Sequence, residues 1–138
     1  MLGIRDGELV IKGDYLLFLG GYVMIDFACR RFDLDDIVKC GLGLTRTEFR
    51  IMRYFMERGG GECTTSSISK RMNLNLTTVQ KAVKKLFEKD IILRHQKNLG
   101  NGGYVYSYEC NSRIKIRKII KGIIRNWFDV VERKMDSW

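Results

Sequence analysis

Residues 66–95, SSISKRMNLNLTTVQKAVKKLFEKDIILRH, hold two helix signals, a turn between them and the start of a strand. Ile68 and Met72 stand one helical turn apart in a short polar helix, and Asn73-Leu74-Asn75 reads as the turn. Val79, Ala82, Val83, Leu86 and Phe87 then repeat at i, i+3, i+4, i+7 and i+8, an apolar stripe on an amphipathic helix. Asn75 is placed to cap that helix, because its side-chain oxygen can accept an otherwise unpaired first-turn N–H. The opposite face carries Thr77, Thr78, Gln80, Lys81, Lys84 and Lys85.

Upstream, residues 44–61, LTRTEFRIMRYFMERGGG, predict a further helix. Thr45 and Glu48 have capping-box spacing, and Gly59-Gly60-Gly61 supplies the stop. Phe49, Met52, Phe55 and Met56 form its expected core stripe. Downstream, the period changes to two. Ile91 to His95 and YVYSYEC, residues 104–110, read as paired strands, with Tyr104, Tyr106 and Tyr108 on one face. Between them QKNLGNGG, residues 96–103, is a glycine- and asparagine-rich hairpin tip. Asn111-Ser112 can cap a last helix from about Arg113 to Met135.

Helix, helix, turn, helix, strand, hairpin, strand is the order of a winged helix-turn-helix. The expected class is mainly α with a small β-hairpin, α+β, ending in a long C-terminal helix. The helix after the turn fits the major groove of B-form DNA, about 12 Å wide. Asn75, Thr77, Thr78, Gln80 and Lys81 stand at or near its N-terminal end, where base edges would be read. Lys84 and Lys85 follow, placed for phosphates or guanine edges. Arg94, Lys97, Asn98 and Asn101 belong to the expected wing, on the backbone or minor groove. The last helix is apolar over more than one stripe; Ile116, Ile120, Ile123, Trp127 and Val130 are expected to pair it with a second copy.

GLGLTRTEFRIMRYF, residues 41–55, and the stretch 66–95 resemble archaeal TrmB-type and bacterial MarR-type regulators. Both families enter the first helix on a GLT-x-x-E pattern and leave the third on L-x-x-K-G followed by two apolar residues. Here Asp90 stands where those families have glycine. The resemblance covers roughly residues 41–110 and implies a dimeric, double-stranded-DNA-binding repressor or activator. By that likeness Asn75, Thr77, Thr78, Gln80 and Lys81 face the groove and residues 97–103 form the wing. Neither family accounts for residues 1–43, so no effector ligand carries over.

Bulk properties agree with this reading. The formal charge is +9 over 138 residues, a surplus that draws polyanions. It is uneven: −2 over residues 1–43, +2 over 44–61, +4 over 62–111 and +5 over 112–138. Cys29, Cys40, Cys63 and Cys110 lie far apart and His95 is the single histidine, so no metal site is expected and the thiols are expected free. No cofactor is expected. A single histidine, with no G-x-x-x-x-G-K-[ST] and no G-x-S-x-G, leaves no catalytic set; GGGECTTSS has the glycines of a phosphate loop but not its lysine. A secretory leader or membrane span is not expected, which points to the cytoplasm. The run Tyr15 to Phe27 falls short of about 20 apolar residues, and Asp26 and Gly20-Gly21 interrupt it.

The expected division is a helical extension over 1–43, packed on the core or a partner subunit, with a helix from about Asp14 to Arg31 and a short acidic one from Asp35 to Cys40. The winged helix-turn-helix occupies 44–111 and the dimerisation helix 112–138. The competing expectation is a winged-helix adaptor that binds proteins in the transcription machinery without reading DNA. The exposed threonines and lysines of the third helix argue against it, since such surfaces favour aromatic or aliphatic anchors.

Overall fold

The computed structural model describes residues 31–138 in full and, among residues 1–30, the backbone of the strands. The chain forms two compact units, Met1–Gly41 and Leu42–Trp138.

In the first unit β1 (Leu2–Arg5), β2 (Glu8–Ile11), β3 (Asp14–Leu19), β4 (Tyr22–Phe27) and β5 (Arg30–Asp33) make an antiparallel meander in sequence order. Leu16 pairs with Ile25 and Phe18 with Val23 across β3 and β4. This corrects the expected helix over about 14–31, and with it the helical extension. Asp6-Gly7, Lys12-Gly13, Gly20-Gly21 and Ala28-Cys29 are the residue pairs between successive strands. Asp-Gly and Gly-Gly favour two-residue antiparallel connections, and aromatic and β-branched residues between them favour strands. Cys29 lies outside the described residues. The short helix is present as α1 (Leu34–Gly41), its first turn held by the Asp35 N–H donating to Asp33 Oδ1 at 3.1 Å.

The second unit is the winged helix: α2 (Arg46–Arg58), α3 (Thr65–Met72), α4 (Leu76–Glu88), β6 (Ile92–Asn98), β7 (Tyr104–Cys110) and α5 (Arg113–Asp136). Local chemistry sets each boundary. Thr45 and Glu48 complete the capping box: Glu48 N–H donates to Thr45 Oγ1 at 3.2 Å and Thr45 N–H to Glu48 Oε2 at 2.8 Å. Thr64 and Ser112 cap α3 and α5 through the side chain alone, Thr64 Oγ1 accepting the Ser67 N–H and Ser112 Oγ the Lys115 N–H, each at 3.2 Å. Asn73 closes α3 in the left-handed region at φ 52°, where asparagine is tolerated. Asp90 adopts φ 60°, so this aspartate takes the conformation for which glycine is the usual choice.

The core joins Ile51, Met52 and Phe55 of α2, Ile68 of α3, Val79, Ala82, Val83 and Leu86 of α4, and Ile91, Ile92 and Tyr108 at the hairpin. Phe49 and Met56 are only half-buried, so the inward stripe of α2 is turned toward Ile51 relative to its expected position. Leu42 and Leu44 close the core ahead of α2. β6 and β7 pair antiparallel from Ile92↔Cys110 to Asn98↔Tyr104, and Cys63 adds a bridge to Tyr108.

Ile116 is the buried residue of α5, a helix of 24 residues and therefore about 36 Å long. It completes the body's own core at 2% exposure, which corrects its assignment to a dimer seam. Asn111 fastens the base of α5: its Nδ2 donates to Asp90 O at 2.8 Å and its backbone N–H to Ile91 O at 3.0 Å. Among the described residues no helix is long and apolar enough to cross a membrane.

Candidate functional site

The strongest constellation lies on α4 and the hairpin beside it. The apolar stripe of α4 faces the core, so Thr77, Thr78, Gln80, Lys81 and Lys84 are left exposed on the other side. Among the described residues neither Lys81 nor Lys84 has a carboxylate partner. Two hydroxyls, an amide and two unneutralised ammonium groups thus share one helical surface near a helix N-terminus, a set suited to hydrogen-bonding an anionic polymer.

Two members of the predicted set have other work. The Lys85 ammonium donates to Gly43 O at 2.6 Å and to Glu48 Oε2 at 2.9 Å, so it ties α4 to the entry of α2. A helical projection directs it outward, yet its partners lie 42 and 37 residues away in sequence. Asn75 is the N-cap, its Oδ1 accepting the Thr77 N–H at 2.8 Å. Its amide nitrogen alone stays available.

The Glu48 carboxylate beneath Lys85 feels opposing effects. Burial raises its pKa, but the Thr45 N–H and the Lys85 ammonium together hold it below the usual carboxylate value. A lowered folded-state pKa stabilises the fold above the unfolded carboxylate's pKa, and the contribution is lost as pH falls through the lowered value. Lys85→Met should therefore cost about 1 kcal/mol near pH 7, modest because both side chains are partly solvated. Urea titrations should show that difference shrinking by pH 3; equal losses at both pH values would remove the ion pair from the account.

The hairpin is braced at its base and narrow at its tip. The Arg94 guanidinium lies between the Phe87 ring, 4.4 Å from its centroid, and the Tyr106 ring, 4.5 Å from its centroid. That sandwich fixes a cation on the hairpin face that β6 shares with Tyr104, itself packed edge-on against Tyr106. Strand alternation placed the tyrosines on one face, but the cross-strand register was needed to bring Arg94 among them. On the reverse face Lys97 is 3.6 Å from Glu62, whose carboxylate accepts the Ser107 hydroxyl at 2.5 Å. The Ser107 bond, with Lys97 beside it, holds Glu62 below its usual pKa. Asn98 accepts from Gln96, while Asn101 is exposed in the tip closed by Leu99 N–H to Gly103 O. Arg94 and Asn101 are thus presented, whereas Lys97 is shared with Glu62.

Of the five residues expected at a dimer seam, Ile116 is internal, Ile120 and Ile123 are half-buried, and Trp127 and Val130 are exposed. Ile124, Phe128 and Met135 extend the exposed apolar surface and were not in that set. Cys40, Cys63 and Cys110 are free thiols, and burial pushes both Cys63 and Cys110 up in pKa. Among the described residues no three His, Cys, Asp or Glu side chains converge as a metal set.

Known proteins share this architecture. A solved structure described as a possible transcriptional regulator from Methanosarcina mazei Go1 superposes with a TM-score of 0.78 at 42% identity, covering 83% of this chain and 96% of that one. A protein from Sulfolobus tokodaii, at 22% identity and a TM-score of 0.57, covers 70% of this chain and 92% of its own and shares the fold alone. Two uncharacterised proteins of Methanocaldococcus jannaschii are 29% identical over 83% of this chain and 86% of their own, and 31% identical over 75% and 84%, respectively. The winged-helix class stands, though the family model that matches is neither TrmB-type nor MarR-type. It is the DnaD N-terminal domain model, matching residues 32–127 from β5 into α5. The chain belongs to the DnaD N-terminal domain family.

Proposed function

We propose that this chain is a double-stranded-DNA-binding transcription regulator that acts as a dimer. α4 enters the major groove, and the hairpin lies against the backbone or minor groove. The observation that carries the reading is the exposed row Thr77, Thr78, Gln80, Lys81 and Lys84 beside a hairpin that presents Arg94. The description of the Methanosarcina relative as a possible transcriptional regulator supports it. Thr77, Thr78 and Gln80 read bases, while Lys81, Lys84 and Arg94 hold phosphates. Asn101 and the partly neutralised Lys97 contribute at the wing. An adaptor without DNA is less well supported, because the outward face of α4 offers no aromatic anchor.

The dimer rests on the free length of α5. Ile124, Trp127, Phe128, Val130 and Met135 are exposed along it, an apolar surface that a second copy would cover. No membrane and no small-molecule effector enters this reading.

Selection of bound duplexes from a random pool tests the proposal: an enriched pseudo-palindrome is expected, and an unenriched pool removes sequence reading. Gln80→Ala should narrow the affinity gap between selected and random duplex by about 1–3 kcal/mol. Uniform weakening on both would show that Gln80 does not read bases.

A further inference from the structure

The two faces of the hairpin are chemically unlike. Cross-strand register sets Arg94 with Tyr108, Gln96 with Tyr106 and Asn98 with Tyr104 on one face, and no carboxylate of β6 or β7 shares it. The reverse face carries Glu109 against His95, with Lys97 turned to Glu62. An anion is therefore favoured on the first face. That face begins as core, with Ile92 and Tyr108 buried, and runs out beyond the body. There the Phe87 ring, the Arg94 guanidinium, the Tyr106 ring and the Tyr104 ring follow one another at 4.4, 4.5 and 5.1 Å. Arg94 and Tyr106 each lie between two neighbours, whereas Tyr104, at the outer end, is 58% exposed and closes no core. The inner end of the row belongs to α4. Gln80, Lys84 and Phe87 are four and three residues apart, so they share one side of that helix.

We propose that Tyr104 stacks an unpaired base of single-stranded DNA adjoining the duplex that α4 holds. This site rests on the duplex reading above and adds a second ligand to it. Inside a continuous duplex both faces of a base are stacked on its neighbours, and a side chain meets only base edges. An open aromatic ring gains little there. An unpaired base, by contrast, offers a free π-face, and every base has one, so stacking on a ring tolerates any sequence.

The cations of the row suit the phosphates of the same strand. Both faces of the Arg94 guanidinium are covered by rings, so its in-plane N–H groups are what it offers outward. Lys84 stands exposed at the α4 end, with no carboxylate partner among the described residues. A strand running from Tyr104 toward α4 meets ring, guanidinium and ammonium in turn, its base on the ring and its phosphates on the cations.

The test titrates the intact chain, by fluorescence anisotropy, against DNAs that share one paired sequence. One is a blunt duplex, one carries a single-stranded deoxyadenosine tail, and one carries a tail of abasic sites with the same phosphates. The deoxyadenosine tail is expected to tighten binding about tenfold over the blunt duplex, and the abasic tail to give little of that gain. Tyr104→Ala should abolish the gain while leaving blunt-duplex affinity within about twofold, since the position is exposed. Tyr104→Phe, which keeps the ring, should retain the gain. An equal gain from the abasic tail, a gain that survives Tyr104→Ala, or a gain seen only with a ribonucleotide tail would overturn the proposal. The same titrations, with the free tail strand added, separate the two readings. Binding of the blunt duplex with no gain from the tail would sink the stacking site alone. Tyr104-dependent binding of the free tail strand without any binding of the blunt duplex would sink the duplex reading and leave the stacking site standing.

Discussion

Reversing Lys81 and Lys84 together, Lys81→Glu/Lys84→Glu, should weaken duplex binding by about 100-fold at moderate salt. Each phosphate neutralised by a cation releases condensed counterions, and affinity falls with salt at a log–log slope of about 0.9 per contact. Removing two contacts should flatten that slope by about 2, and the introduced carboxylates add repulsion from the phosphates. The fold should not suffer, since both positions are exposed and such surface changes usually stay within about 0.5 kcal/mol. Fluorescence anisotropy on a selected and a random duplex, over a range of salt, reads the affinity and the slope. Loss of less than about threefold, with the slope unchanged, would take α4 out of the groove.

Ile116→Ala should destabilise the body by about 2–5 kcal/mol, the cost of deleting buried methyl groups and leaving a cavity. Ile116 is 2% exposed, whereas Trp127, on the same helix, is 64% exposed. Trp127→Ala should therefore leave the stability of the monomer nearly unchanged and act on association. Denaturant titration at low protein concentration, beside sedimentation at high concentration, separates the two effects. A loss below about 1 kcal/mol for Ile116→Ala would mean that the first turn of α5 does not close the core.

The parts of the fold that were legible in sequence are those set by neighbours in the chain. Thr45 with Glu48, Asn75 with Thr77 and Ser112 with Lys115 make their bonds within three residues, so the starts of α2, α4 and α5 are written locally. The stripe Val79, Ala82, Val83 and Leu86 states the inward face of α4 just as directly. The meander was not legible by period. Tyr15 to Phe27 is almost uninterruptedly apolar, and such a run does not distinguish a strand from a buried helix. Gly20-Gly21 looked like an interruption, whereas it stands between two strands.

The candidate site divides in the same way. Thr77, Thr78, Gln80, Lys81 and Lys84 follow from a helical projection of one segment. Lys85 follows from the same projection but is recruited by Gly43 and Glu48, groups that adjoin it only after folding. Arg94 falls in the wing by its place in the chain, and only the strand register supplies the two rings that grip it. Ile116 sits at the start of an apolar series whose later members are exposed, and no feature of that series marks its first member as internal.

Asn111 clasps the backbone that leaves α4 through both Asp90 and Ile91, immediately before α5 begins. No slack segment separates the long helix from the helix that carries Thr77 to Lys84. The base of the long helix and the exit of α4 therefore form a single hydrogen-bonded joint.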